Sequence, residues 1–134
     1  MNANTLALIQ KYYQAFNQQN IELMLQCLHP QIEHDINEGA TETGLDQFRL
    51  FLYRMNTHYR EHLTDLKIMV DESGKFASAH FLVNGTYLST DGGLPPARGQ
   101  NYKIPALGYF EVLDGKIKRV STFYNLKKWI EAVS

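Results

Sequence analysis

The sequence has 134 residues, in which 13 Lys and Arg side chains nearly balance 14 Asp and Glu side chains, for a net charge of -1 at pH 7. This length favours a single domain, and the absence of any run of like charge argues against nucleic acid or an anionic membrane as a partner. Cys27 is the only cysteine, which excludes a disulfide within the chain.

Helical spacing of apolar residues occurs in three segments, residues 5–18, 21–28 and 45–58. Thr5 is expected to be the N-cap of the first helix, and Pro30 is expected to end the second. The stretch IEHDINEG then predicts a short strand and a turn between the second and third helices.

Strands dominate the second half of the chain. They are predicted over residues 62–70, 75–89, 101–113 and 117–125, and residues 126–133 are expected to form a closing helical turn. Helices followed by an antiparallel meander predict an α+β fold in which a strongly bent sheet wraps around one long helix.

Both faces of the strand over residues 76–87 carry apolar side chains. Phe76, Ser78, His80, Leu82, Asn84 and Thr86 share one face, and Ala77, Ala79, Phe81, Val83, Gly85 and Tyr87 share the other. One face is expected to pack on the protein's own helix, and the other on a second subunit or a ligand. The alternative is a single sheet with scattered surface aromatics.

Three segments carry a family resemblance: HDINEGATETG, GTYLSTDGGLPPARGQ and LDGKIKRVSTFYN. They resemble the SnoaL-like group of the nuclear transport factor 2-like superfamily, as one domain over residues 1–134. HDINEG and FYNLKKW look most like the ketosteroid isomerase-related proteins of that group. The resemblance implies a cystatin-like cone of three helices packed on a strongly curved, mostly antiparallel sheet. It also implies a hydrophobic pocket for a small apolar ligand, and a homodimer through the outer sheet face.

The resemblance assigns few of the family's reactive groups to this chain. Tyr12 corresponds to the oxygen-binding tyrosine of the isomerases, whereas Leu52 and Gly108 stand at their supporting tyrosine and donor acid. Asn125 stands at the general-base aspartate of the cyclases, and an amide cannot serve as that base. Since each lost oxyanion donor costs about 10² to 10³ in rate, steroid isomerisation is expected to be several orders of magnitude slower than in a true isomerase.

HDINEG supplies the remaining candidates for proton transfer. An alignment without a gap turns His34 inward with Ile32 and puts Ile36 at the isomerase carboxylate. One gap puts Asp35 there beside Asn37, and we prefer this alignment because aspartate commonly follows histidine at this place in SnoaL-like sequences. The alternative is structural, with Asp35 and Asn37 capping the turn into ATETG.

The connection STDGGLPPARGQ, residues 89–100, is long for a hairpin. In the implied cone it is expected to fold as a flap over one edge of the pocket or the dimer, with Asp91 and Arg98 paired across its base. Its glycines permit positive φ angles and its prolines stiffen the return.

Two functions follow from these observations. The first is a cofactor-independent isomerase or lyase acting on a small hydrophobic carbonyl compound, in which Asp35 or His34 moves the proton and Tyr12 polarises the oxygen. Ligand contacts are expected from Tyr13, Asn37, His80, Phe123 and Asn125. The second function is a non-catalytic module that binds a ligand or a protein.

No motif predicts a metal or cofactor site. The segment MNANTLALIQKYY lacks the features of a signal peptide, so a cytoplasmic location without a membrane partner is expected.

Overall fold

The computed structural model describes residues 2–134. The helices are α1 (Asn2–Asn17), α2 (Ile21–Gln26), α3 (Leu45–His58) and α4 (Leu126–Val133). The strands are β1 (Leu28–Asp35), β2 (Thr41–Thr43), β3 (Tyr59–Val70), β4 (Phe76–Tyr87), β5 (Asn101–Leu113) and β6 (Lys116–Phe123).

All six strands of this part of the chain form one curved sheet in the order β2-β1-β6-β5-β4-β3. Neighbouring strands run antiparallel except β1 and β6, which are parallel. The α+β fold class is therefore confirmed. The parallel pair was not expected, because the sequence pattern of one strand carries no information about its distant neighbour.

The core lies between α1 and the concave face of the sheet. β4 buries every second residue, as the alternation predicts, and Tyr13 of α1 packs on Phe81 with ring centroids 5.2 Å apart. Tyr12 packs on Phe110 of β5 with ring centroids 5.8 Å apart. These aromatic contacts fix the rotation of α1, so that its two tyrosines face the inside of the sheet.

Two predicted helix boundaries were wrong. α1 begins at Asn2, and Thr5 lies inside the helix, where its hydroxyl donates a 2.5 Å hydrogen bond to the carbonyl of Gly74. α2 ends at Gln26, and Pro30 lies within β1. The pairing of β1 with β6 is irregular between Leu28 and Glu33, and such an irregularity accommodates a residue without an N–H group.

Candidate functional site

A cavity of about 370 Å³ lies between the helices and the concave face of the sheet. Its walls are mostly apolar and aromatic, and include Phe16, Met24, Phe48, Phe51, Leu63 and Phe81. This volume is typical of a site for a small organic molecule. Several polar side chains also reach the cavity, and they define what it can bind.

His34 is the most deeply buried of these polar groups, with 4% of its surface exposed. Its ring packs between Phe48 and Phe51, at centroid distances of 4.6 and 4.5 Å. Nδ1 has no hydrogen-bond partner, which is unique among the buried side-chain polar atoms of residues 2–134. Burial lowers the pKa of His34 to about 4 although the charge of Asp35 opposes this shift, so the imidazole is neutral at pH 7.

Tyr12 and Tyr13 both line the cavity. Burial raises the pKa of each phenol far above neutral pH, so both hydroxyls remain hydrogen-bond donors. The Tyr13 hydroxyl occupies the space where a Cβ atom at position 108 would lie. Gly108 is therefore required for the packing of Tyr13, and no acid fits at the position of the isomerase donor.

Asp35 lies outside the cavity lining. Its carboxylate accepts hydrogen bonds from Arg119 at 2.7 and 2.8 Å, from Thr41 at 2.7 Å, and from Ser121. Burial alone would raise its pKa, but these hydrogen bonds lower it to about 2. The gapped alignment was wrong, because successive residues of a strand face opposite sides and the inward set of β1 is Ile32 and His34.

Three of the five predicted ligand contacts also lie elsewhere. His80 and Phe123 are exposed on the outer face of the sheet. Asn125 is the N-cap of α4 and accepts a 3.1 Å hydrogen bond from the N–H of Lys128. Asn37 does line the cavity, as Tyr13 does, and its amide group exchanges hydrogen bonds with the backbone of Tyr124.

The connection over residues 89–100 folds against the cavity, where Asp91 and Leu94 form part of the lining. Gly92 adopts φ +52°, which a glycine tolerates without strain. The predicted pair across its base was wrong: Asp91 accepts a 2.7 Å hydrogen bond from Tyr59, and Arg98 donates to the carbonyl of Val133 at 3.2 Å. The segment is thus an ordered flap attached to β3 and to the end of α4.

Glu61 is a cavity residue that the sequence analysis missed. Its carboxylate accepts a hydrogen bond from the Tyr102 hydroxyl, and burial raises its pKa although this hydrogen bond opposes the shift. β3 begins at Tyr59, whereas the strand was predicted from residue 62. Extending the alternation backwards from the buried Leu63 would have placed Glu61 on the inner face.

Within residues 2–134, no three His, Cys, Asp or Glu side chains converge in a way that would hold a metal ion. None of the helices in the same range combines the length and apolar character needed to cross a membrane.

Comparison with known proteins places this geometry in a family. The sequence profile of the SnoaL-like domain matches residues 9–120. The chain belongs to the SnoaL-like family. The search of curated proteins found no match for this SnoaL-like protein.

Solved structures agree with this assignment. A candidate polyketide cyclase from Xanthomonas campestris pv. campestris is 42% identical, with a TM-score of 0.97 over 99% of this chain and 98% of that chain. Another candidate polyketide cyclase, from Silicibacter sp. TM1040, is 44% identical, with a TM-score of 0.96 over 98% of this chain and 96% of that chain. A nuclear transport factor 2-like protein from Burkholderia xenovorans LB400 shares the fold at 11% identity, with a TM-score of 0.79 over 100% and 98% of the two chains.

Proposed function

We propose that this SnoaL-like protein binds a small, largely apolar carbonyl compound in its cavity and acts on it as a cofactor-independent isomerase or lyase. The observation that supports this proposal is His34, a buried side chain that lines the cavity and whose Nδ1 has no hydrogen-bond partner. An unpaired buried polar group costs about 1 to 3 kcal/mol, so His34 is held beside the cavity at a cost in stability.

His34 is the proposed base. A neutral imidazole accepts a proton from the carbon next to the ligand's carbonyl, so that this C–H bond breaks and its electron pair moves to the carbonyl oxygen as an enolate. In an isomerisation the proton returns to another carbon of the same molecule. In a lyase reaction the enolate instead expels a leaving group from the β-carbon, and this group takes the proton.

Tyr12 is the proposed donor to the enolate oxygen. Because its phenol stays protonated, it stabilises negative charge on the ligand by a hydrogen bond without losing its own proton. The imidazolium formed on His34 is stabilised by the negative charge of the enolate beside it, which opposes the unfavourable burial of the cation.

The two structures that share 42% and 44% identity are named as candidate polyketide cyclases. Polyketide chains carry several carbonyl groups, and their cyclisation begins with loss of a proton next to one of them. These names therefore favour a carbonyl ligand for this chain as well, with His34 replacing the aspartate that Asn125 does not supply.

The alternative is a binding module that uses the same cavity without chemistry. Gly108 and Asn125 favour it, because neither provides the reactive group that stands there in the enzymes of the superfamily. The two functions differ in whether the cavity exchanges protons with a bound ketone, which can be measured without the natural ligand.

We expect the protein to accelerate hydrogen–deuterium exchange at the carbons next to the carbonyl of 2-tetralone, a bicyclic ketone, as followed by NMR in D₂O. His34→Gln is expected to lower the exchange rate by about 10² or more, the usual contribution of general acid–base catalysis. His62→Gln, at an exposed histidine of β3, is the matched control. Asp35→Asn is expected to change the rate by no more than a few-fold, because this carboxylate lies outside the cavity.

Two results would contradict the proposal in different ways. If 2-tetralone binds without accelerated exchange, the cavity is a binding module. If exchange is accelerated but depends on Asp35 and not on His34, the catalytic assignment is wrong.

We also propose that the outer sheet face forms a homodimer. Phe76, Leu107 and Phe123 on this face are 45%, 39% and 55% exposed, and Leu107 lies directly opposite Phe123 in the β5–β6 pair. Such neighbouring apolar groups favour association. Sedimentation equilibrium is expected to give a dimer at micromolar concentration, and the double variant Leu107→Asp, Phe123→Asp a monomer. A wild-type monomer at this concentration would exclude the dimer.

A further inference from the structure

One end of the cavity is acidic. Glu38, Glu61 and Asp91 belong to its lining, and within the described residues 2–134 the only lysine or arginine there is Arg54. The Arg54 guanidinium lies over the ring of Phe51, 5.6 Å from its centroid. The lining therefore carries more negative than positive charge, although the whole chain is nearly neutral.

The acidic groups of the cavity lack a permanent cationic partner. In the part of the chain that the structure describes, no lysine or arginine forms an ion pair with Glu38, Glu61 or Asp91, and the closest basic group is His58, whose Nε2 lies 3.8 Å from Asp91. The outer-face carboxylates differ, since Asp35 and Glu33 both bind Arg119. Glu38 is exposed, whereas Glu61 and Asp91 are partly buried. A partly buried carboxylate without a counter-charge is costly, and a bound cation would reduce that cost.

Aromatic rings surround the same end. Tyr59 and Trp129 both line the cavity, with ring centroids 5.8 Å apart and planes at 75°. The Tyr59 hydroxyl donates to Asp91, so that aromatic ring and carboxylate are held together. Tyr124 also lines the cavity, and burial raises its pKa. The charges of Glu61, Glu38 and Asp91 raise this pKa further, which indicates that all three carboxylates lie near the same phenol. Aromatic faces beside carboxylates are the usual environment of an organic ammonium group.

The arrangement does not suit a metal ion, because the acidic side chains do not converge on one point. The arrangement of acidic and aromatic side chains suits a larger organic cation, such as an ammonium group whose charge is spread over the hydrogens of its neighbouring carbons. The unpartnered His34, 4% exposed in the same cavity, indicates independently that the lining is built for a ligand.

We propose that the ligand of this cavity carries a basic amine or quaternary ammonium group, held between Glu61 and Asp91 against Tyr59 and Trp129, with its apolar body toward His34 and the tyrosines of α1. This inference rests on the proposed function only in that the cavity binds a small molecule. Because Asp91 belongs to the flap, the bound cation also holds residues 89–100 against the cavity.

The test compares two probes of the same shape, benzyltrimethylammonium and neopentylbenzene, which differ in charge alone. At pH 8 the wild type is expected to bind the ammonium probe about tenfold more tightly, a preference typical of a partly desolvated cation–aromatic site. Isothermal titration calorimetry would measure both affinities. Glu61→Gln and Asp91→Asn each keep the side-chain shape and are expected to reduce the preference at least about threefold, since each removes one nearby negative charge.

Glu111→Gln is the matched control, because this carboxylate lies on the outer face, where it accepts a hydrogen bond from Tyr109. Its probe preference is expected to equal that of the wild type. Equal affinity for both probes in the wild type, or an equal loss of preference in all three variants, would overturn the cation site. Failure of 2-tetralone and both probes to bind would instead overturn the proposed function.

Discussion

Replacing Gly108 by alanine is expected to destabilise the protein by about 2 kcal/mol, within the range measured for overpacked cores. The added Cβ would overlap the Tyr13 hydroxyl, and Tyr13 is held by Phe81 and Phe110 on either side. The ring cannot retreat without opening the core around α1. Urea denaturation, monitored by Trp129 fluorescence, would give the difference in free energy of unfolding.

The second substitution Tyr13→Phe is expected to recover most of this loss, because it removes the atom that the new Cβ meets. Gly93→Ala is the control for the general effect of replacing glycine, since a Cβ there meets nothing within 4 Å. Two results would contradict this explanation: Gly108→Ala is as stable as Gly93→Ala, or Tyr13→Phe does not restore stability. Either result would show that the Tyr13 hydroxyl is not the reason why position 108 requires glycine.

Acidification is expected to destabilise the protein through His34. Its pKa is about 4 in the folded protein, against 6.5 for a solvent-exposed histidine of the unfolded chain, so between these values the unfolded chain binds more protons. Stability is therefore present above pH 6.5 and is lost as the pH falls toward 4. By linkage the loss relative to pH 7 amounts to about 2 kcal/mol at pH 5 and about 3 kcal/mol at pH 4.

Other groups contribute to this pH profile and have to be separated from His34; they include Glu61, Asp35, and the exposed Glu22 and Asp71, whose pKa values are lowered. The raised pKa of Glu61 adds stability as the pH falls, because the folded protein then binds the extra proton. The pKa of Asp35 falls from 3.8 to about 2, so its contribution is lost only below the window of His34. The His34→Gln variant has no titratable side chain at position 34. The difference between the stability profiles of the wild type and this variant therefore gives the contribution of the imidazole.

We expect the wild type to lose more stability than His34→Gln between pH 7 and pH 5, as measured by urea denaturation at each pH. Parallel profiles for the two proteins would show that His34 is not held neutral by burial.

The sequence predicted the fold better than the site. The α3 span was predicted correctly, and the division of residues 76–87 into two alternating faces agrees with the burial along β4, although the sequence did not indicate which face is buried. These features depend on local periodicity. The parallel pairing of β1 with β6 joins segments separated by more than 80 residues, and no local pattern encodes it.

The choice between His34 and Asp35 illustrates why the site was harder to predict. A shift of one residue exchanges the two faces of a strand, and a single alignment gap produces that shift. Glu61 was missed because the predicted strand began one residue too late to include it. Asp91 was expected to pair with Arg98, and its contact with Tyr59 depends on how the flap folds back onto the sheet.

The most direct test of the proposed function is NMR of the imidazole nitrogens of His34, in protein labelled with ¹⁵N-histidine, as 2-tetralone is added. We predict nitrogen shifts of a neutral imidazole from pH 8 down to pH 5.5, and a change in these shifts that saturates with the ketone. His62, exposed on β3, provides the internal reference for a histidine outside the cavity. Signals of His34 that stay constant while those of the outer-face His80 move with the ketone would contradict the claim that the cavity is the functional site.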